Sequence, residues 1–160
     1  MTDAIAALSI LSHLDVPARD RALEHFYARW QNEPLVLDKW FALQAAAQRA
    51  DTLDAVENLA SHPSFTLQNP NRLRALAGSL GMNHWVFNHA SGRGYRLLAD
   101  MIIAADKLNP QVAARLVPPL GRWRRFEPGR AALMRDQLER IVATPGLSRD
   151  VFEQGSKSLG

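Results

Sequence analysis

Apolar residues recur along this chain every three or four positions, the spacing of helices that bury one stripe. The pattern predicts a first helix over 3–13 with Ala4, Ile5, Leu8 and Leu11 inward. A second follows over 17–31, with Leu23, Phe26, Tyr27 and Trp30 on its buried side, until Asn32-Glu-Pro34 breaks it. The third, over 36–49, carries Leu37, Trp40, Phe41 and Gln44; Trp30, Trp40 and Phe41 all read as core. The fourth, over 51–61, carries Leu53, Val56 and Leu59 and stops at His62-Pro63, since a residue before proline is pushed out of the helical region.

Two Asn-Pro steps mark further helix starts, with asparagine as cap and proline at the first helical position. Asn69-Pro70 opens a helix to Gly81 with Leu73, Leu76, Ala77 and Leu80 inward, and Asn109-Pro110 opens one to Val117. Between them, residues 82–94 have dense turn signals and predict an irregular connection, followed by a helix over 95–108 with Leu98, Met101, Ile102 and Ala105 inward. Pro118-Pro119 and a turn over 120–126 lead to helices over 128–143 (Met134, Leu138, Ile141, Val142 inward) and 148–158. No segment alternates with period two, so the fold class predicted is all-α. Helices of 10–15 residues on short connections form antiparallel hairpins, and their spacing favours a short α-solenoid of the ARM/HEAT kind over a bundle.

Composition narrows this picture little. The chain has 160 residues, 47% hydrophobic and 22% charged, enough for a sizeable core and too apolar for disorder. The net charge of +3 permits an anionic partner without requiring one. There is no cysteine, which suits a reducing cytoplasm and excludes thiolate chemistry. No apolar run approaches the ~18–20 residues of a membrane span, and Met1-Thr-Asp-Ala-Ile5 lacks the features of a secretory signal. The abrupt opening into a helical pattern is compatible with a piece of a longer chain.

The residues carry no catalytic set. His13, His25, His62, His84 and His89 include no His-Glu-x-x-His pair, and there is no nucleophile elbow or phosphate-cradling loop. His84 and His89 share a connection and could chelate, but surface or capping roles suit them better. Arg122-Trp-Arg-Arg125 with Arg130 interleaves cations and an aromatic, as nucleic-acid binders do. The same segment also reads as a solvated connector with its tryptophan packed inward, which the low net charge favours.

The most pointed arrangement lies at the two helix mouths. Gln111 and Arg115 are four residues apart and share one helix face, while Val112 and Leu116 share another that would pack. A carboxamide and a guanidinium beside a helix N-terminus can hold a carboxylate or a peptide carbonyl. Arg72 and Arg74 add donors near the other mouth, unless they pair with nearby acids.

These strings also look familiar. Leu35-Val-Leu-Asp-Lys-Trp-Phe-Ala-Leu-Gln44, Phe65-Thr-Leu-Gln-Asn-Pro-Asn-Arg-Leu-Arg74, Gly94-Tyr95 and Asn109-Pro-Gln-Val-Ala-Ala-Arg-Leu116 together resemble the C-terminal helical domain of bacterial aminopeptidase N, the zinc-dependent alanyl aminopeptidases of the gluzincin class. The resemblance covers essentially all of residues 1–160. It departs at Phe87-Asn-His-Ala-Ser-Gly-Arg-Gly-Tyr95, where the family usually has an aspartate before the first glycine. The resemblance implies a cytoplasmic metallopeptidase that removes N-terminal residues from peptides, with its zinc on a catalytic domain outside this chain and none bound here. It implies that residues 1–160 are a non-catalytic C-terminal domain, inactive alone, whose partners are peptide substrates and the enzyme's own catalytic domain, not nucleic acid or membrane. Gln111 then corresponds to a glutamine bordering the pocket for the first substrate side chain, and Arg115 and Arg74 to arginines lining the substrate cavity. The rival reading is a stand-alone α-solenoid that binds protein or nucleic acid through 122–130.

Overall fold

The computed structural model describes residues 1–160, and every regular element in it is helical, with no strand. The elements are α1 (Thr2–Ser12), α2 (Pro17–Trp30), α3 (Pro34–Ala45), α4 (Thr52–Ala60), α5 (residues 70–82) and α6 (His84–Phe87). They continue as α7 (Arg93–Asp106), α8 (Pro110–Arg115), a 3-10 turn over Leu120–Arg125, α9 (Pro128–Val142) and α10 (Arg149–Leu159). Proline opens α2, α3, α8 and α9, where its missing N–H leaves no helical bond unmade. The contacts divide the chain into two compact units, residues 1–66 with 71–86, and residues 67–70 with 87–160.

In the first unit α3 is the hub, packed by α1, α2, α4 and α5. Its sequence is apolar on more than one side, so it buries more than one: Val36, Leu37, Trp40, Phe41, Leu43 and Ala45 are all withdrawn from solvent. The indole N–H of Trp40 donates to the Leu23 carbonyl at 3.0 Å, which keeps its one polar atom satisfied. The periodicity carries α3 on to residue 49, but the helix ends at Ala45. A residue distant in sequence explains this: the buried Asn83 amide donates to the carbonyls of Ala45 (3.0 Å) and Ala47 (2.9 Å). The hydroxyl of Thr52 also donates to Ala47, at 2.8 Å, so the chain can turn with its orphan carbonyls paired.

The inward stripe of α5 is as the spacing predicts, with Leu73, Leu76, Ala77 and Leu80 fully buried. Its middle, Arg74–Gly78, is a π-helical turn between Pro70–Leu73 and Ser79–Met82, a widening that periodicity does not announce. Trp30, expected in the core, is only half-buried, and Ala4 beside it in the predicted stripes is exposed. Packing within the unit leaves that side of α1 and α2 uncovered.

In the second unit α9 packs on α7, α10 and the 3-10 turn, and α8 packs on α7 and α10. Tyr95, Leu98, Ile102, Met134, Leu138 and Ile141 are fully buried there. The buried Asp106 at the end of α7 accepts from the Ser148 backbone N–H (2.8 Å) and hydroxyl (2.5 Å), while the Ser148 Oγ accepts from the Val151 N–H and so caps α10. No helix is long and apolar enough to cross a membrane.

Candidate functional site

α8 shows the two faces that the spacing predicts. Val112, Ala113 and Leu116 are buried, whereas Gln111 and Arg115 are exposed. Neither Gln111 nor Arg115 has a hydrogen-bond or ion-pair partner within the chain. The cap is also as expected: Asn109 Oδ1 accepts from the Val112 N–H at 3.2 Å. The expected backbone contribution is small, however. Only six residues form α8, and its cap already takes one of the free N–H groups, so dipole and backbone donors add little. The chemistry rests on the side chains, a neutral amide and a guanidinium with five donors, unopposed by any carboxylate.

The two arginines of the α5 mouth part company. Arg72 is buried and pairs with Asp38 (Nε to Oδ1, 2.5 Å), donates to the Ser64 carbonyl, and lies with its guanidinium carbon 5.0 Å from the Phe41 ring centroid. It is a structural arginine, the outcome in which these residues pair with acids. Arg74 is exposed, and its Nη1 donates to Asn71 Oδ1 at 3.0 Å. That bond orients the guanidinium without neutralising it, so Arg74 keeps a full positive charge toward solvent. The role of Asn71 follows from its place three residues earlier on the same turn, a spacing visible in Asn71-Arg-Leu-Arg74 but not singled out by sequence reasoning. Arg74 belongs to the first unit and the Gln111–Arg115 pair to the second.

The 82–94 connection has a short helix, α6, within it and is tightly tied down at both ends. Asn83 anchors one end as described, and at the other the Tyr95 hydroxyl donates to Asn88 Oδ1 at 3.1 Å. Burial pushes the Tyr95 phenol up to about 12, with smaller opposing influences from Arg130 and Glu127. Gly94 is required by close approach: a Cβ there would lie 2.6 Å from the Phe87 carbonyl oxygen. Ser91 Oγ accepts from the Arg93 N–H at 3.4 Å and pairs with His89 Nδ1 at 2.9 Å.

The basic cluster is only partly engaged: Arg122, Arg124 and Arg125 are exposed, while Trp123 and Arg130 are half-buried. The Trp123 indole donates to the Ser158 carbonyl (3.1 Å), and Arg124 lies over the Trp123 ring while donating to the Leu159 carbonyl (2.6 Å). Arg130 Nε donates to the Asn88 carbonyl at 2.6 Å. Arg122 and Arg125 are exposed and have no side-chain partner. No group of three or more His, Asp or Glu side chains is gathered so as to hold a metal ion.

With this geometry in hand, comparison with known proteins places the chain. A family model described as a domain of unknown function (DUF3458_C) with ARM repeats matches residues 1–160, and the chain belongs to that family. The ARM description agrees with the hairpin solenoid that the periodicity predicts. The chain is 50% identical over 161 residues to aminopeptidase N of Caulobacter vibrioides, a match covering 100% of this chain and 19% of that protein. It is 41% identical to aminopeptidase N of Escherichia coli, covering 99% of the chain and 18% of the relative. Among solved structures, aminopeptidase A of Legionella pneumophila in complex with aspartic acid superposes with a TM-score of 0.93 at 37% identity, covering 99% of this chain and 19% of that one. The chain therefore spans about a fifth of the length of these relatives, and the part it matches is their C-terminal region.

Proposed function

We propose that residues 1–160 are the non-catalytic C-terminal domain of a cytoplasmic zinc aminopeptidase that removes N-terminal residues from peptides. The domain encloses the active-site cavity, and Gln111, Arg115 and Arg74 line the substrate path. The observation that carries this reading is the exposed, unpartnered Gln111–Arg115 pair on a helix that buries Val112 and Ala113, in a chain matched along its whole length by aminopeptidases. In this reading the zinc belongs to the catalytic domain outside these residues. The part of this chain is to bind and enclose peptide: Gln111 borders the pocket for the first side chain, and the arginines meet downstream carbonyls or the terminal carboxylate. The cysteine-free sequence suits a reducing compartment. Peptide and the enzyme's catalytic domain are the partners proposed, with no nucleic acid or membrane. A nucleic-acid module on 122–130 has less to stand on, because Trp123, Arg124 and Arg130 already donate to backbone carbonyls of the chain.

Hydrogen bonds to a charged group contribute about 1.5–3 kcal/mol, roughly ten- to a hundredfold in binding. Arg115→Ala in the whole enzyme is therefore expected to raise KM for a tripeptide by about tenfold or more. A single-residue alanyl anilide, which lacks downstream groups, should change by less than about twofold. Equal losses on both substrates would show that Arg115 supports structure rather than peptide.

A further inference from the structure

Arg74 is held by a neutral neighbour. Its guanidinium is exposed, and its one partner in the chain is the Asn71 side chain, whose Oδ1 accepts from Nη1 at 3.0 Å. Asn71 is the second residue of α5, and Arg74 stands three residues on, where the π-helical turn begins. Side chains of a helix lean toward its N-terminus, so the guanidinium is drawn back over Asn71. On the other side, Gly78 ends the π-helical turn and leaves the Arg74 stem uncovered; a Cβ there would lie 3.9 Å from Arg74 Cβ.

Stability alone favours an acid at position 71. A carboxylate in the first turn of a helix suits the positive end of its dipole. An aspartate there would also form an ion pair with Arg74 three residues on. Arg72 shows that outcome, with Asp38 as its acid. At 71 the sequence has the amide of the same shape instead, which accepts the same hydrogen bond and leaves the cation unopposed.

We infer that Asn71 is a positioning residue of the peptide site, aiming the Arg74 guanidinium while leaving its full charge for an incoming carbonyl or carboxylate. A side chain ordered in advance spares the peptide the cost of ordering it, a factor of about two to ten in affinity. The inference rests on the reading of Arg74 as a residue of the substrate path. It adds that the group aiming Arg74 must be neutral.

The whole enzyme, assayed on trialanine and on the alanyl anilide, tests this. Arg74→Ala should raise KM for trialanine by about tenfold and leave the anilide within about twofold. Asn71→Ala should raise KM for trialanine by about two- to tenfold with kcat unchanged. Asn71→Asp should raise it at least as far at low ionic strength, although its bond to Arg74 is the stronger, and the gap to the wild type should narrow with added salt. In an Arg74→Ala background neither substitution at 71 should change KM further. A wild-type KM in Asn71→Asp would overturn the proposal, since any acceptor would then serve. So would a further rise in the Arg74→Ala background, which would mean that position 71 acts apart from Arg74. An effect of Arg74→Ala with none from Asn71→Ala would overturn it too and leave the role of Arg74 standing. No effect of Arg74→Ala on trialanine would overturn that role, and the role of Asn71 with it.

Discussion

Single residues here often have one task where the sequence suggests another. His62 sits among Tyr27, Trp40 and Phe41, with ring centroids 5.1 to 5.8 Å away, and its Nδ1 accepts from the Ser64 N–H at 3.1 Å. Burial, and to a lesser degree the neighbouring Arg72 cation, hold its pKa below the ordinary 6.5. The unfolded chain therefore takes up this proton as pH falls through about 6.5, while the folded chain resists it. The group costs stability on the acid side and none well above that pH. The denaturation midpoint should fall as pH drops below about 6.5, and His62→Gln should flatten that part of the curve; an unchanged slope would assign it to other groups. In the sequence, His62 is legible only as a helix stop before Pro63. Its aromatic surroundings come from residues about 20 to 35 positions earlier, which no local pattern brings together.

At the scale of elements, local chemistry was a good guide to where helices begin and a poorer one to where they end. Pro17, Pro70, Pro110 and Pro128 open helices as read, because a fixed φ and an absent N–H act within one turn. The end of α3 depends on Asn83, which no periodicity shows, and the spacing of α5 does not announce its π-helical turn either. The start of α10 depends likewise on Asp106, 42 residues away from Ser148. Asp106 is buried and serves as acceptor for two Ser148 donors. Asp106→Ala should destabilise the fold by roughly 1–3 kcal/mol, since it strands two part-buried donors. Hydrogen exchange should rise first over residues 148–159; a uniform rise across the chain would contradict a local anchor.

Across the whole molecule, charge and function divide unevenly. Acidic residues outnumber basic ones in the first unit and the reverse holds in the second, so the modest net charge of +3 conceals a basic unit around Gln111 and Arg115. A basic wall suits the carboxylate end of a peptide, but it supplies no reacting group. The purified 160-residue chain is accordingly expected to show no turnover of an alanyl chromogenic substrate, with or without added zinc. Turnover that tracks the chain through purification and survives a chelation control would refute its place as a non-catalytic domain.

The sequence by itself determined the all-α class, nearly every helix start, the inward stripes of α5, α7 and α9, and the exposed face of Gln111 and Arg115. Each of these follows from interactions spanning one to four residues, which a helix repeats along its length. Only the tertiary structure decided that Arg72 is a buried ion-pair partner while its neighbour Arg74 stays charged toward solvent. It also decided that Trp123 and Arg124 tie down the last helix, and that α1 is left without cover. Those outcomes depend on which distant side chains arrive beside a given position, and on how much apolar surface their packing leaves unburied.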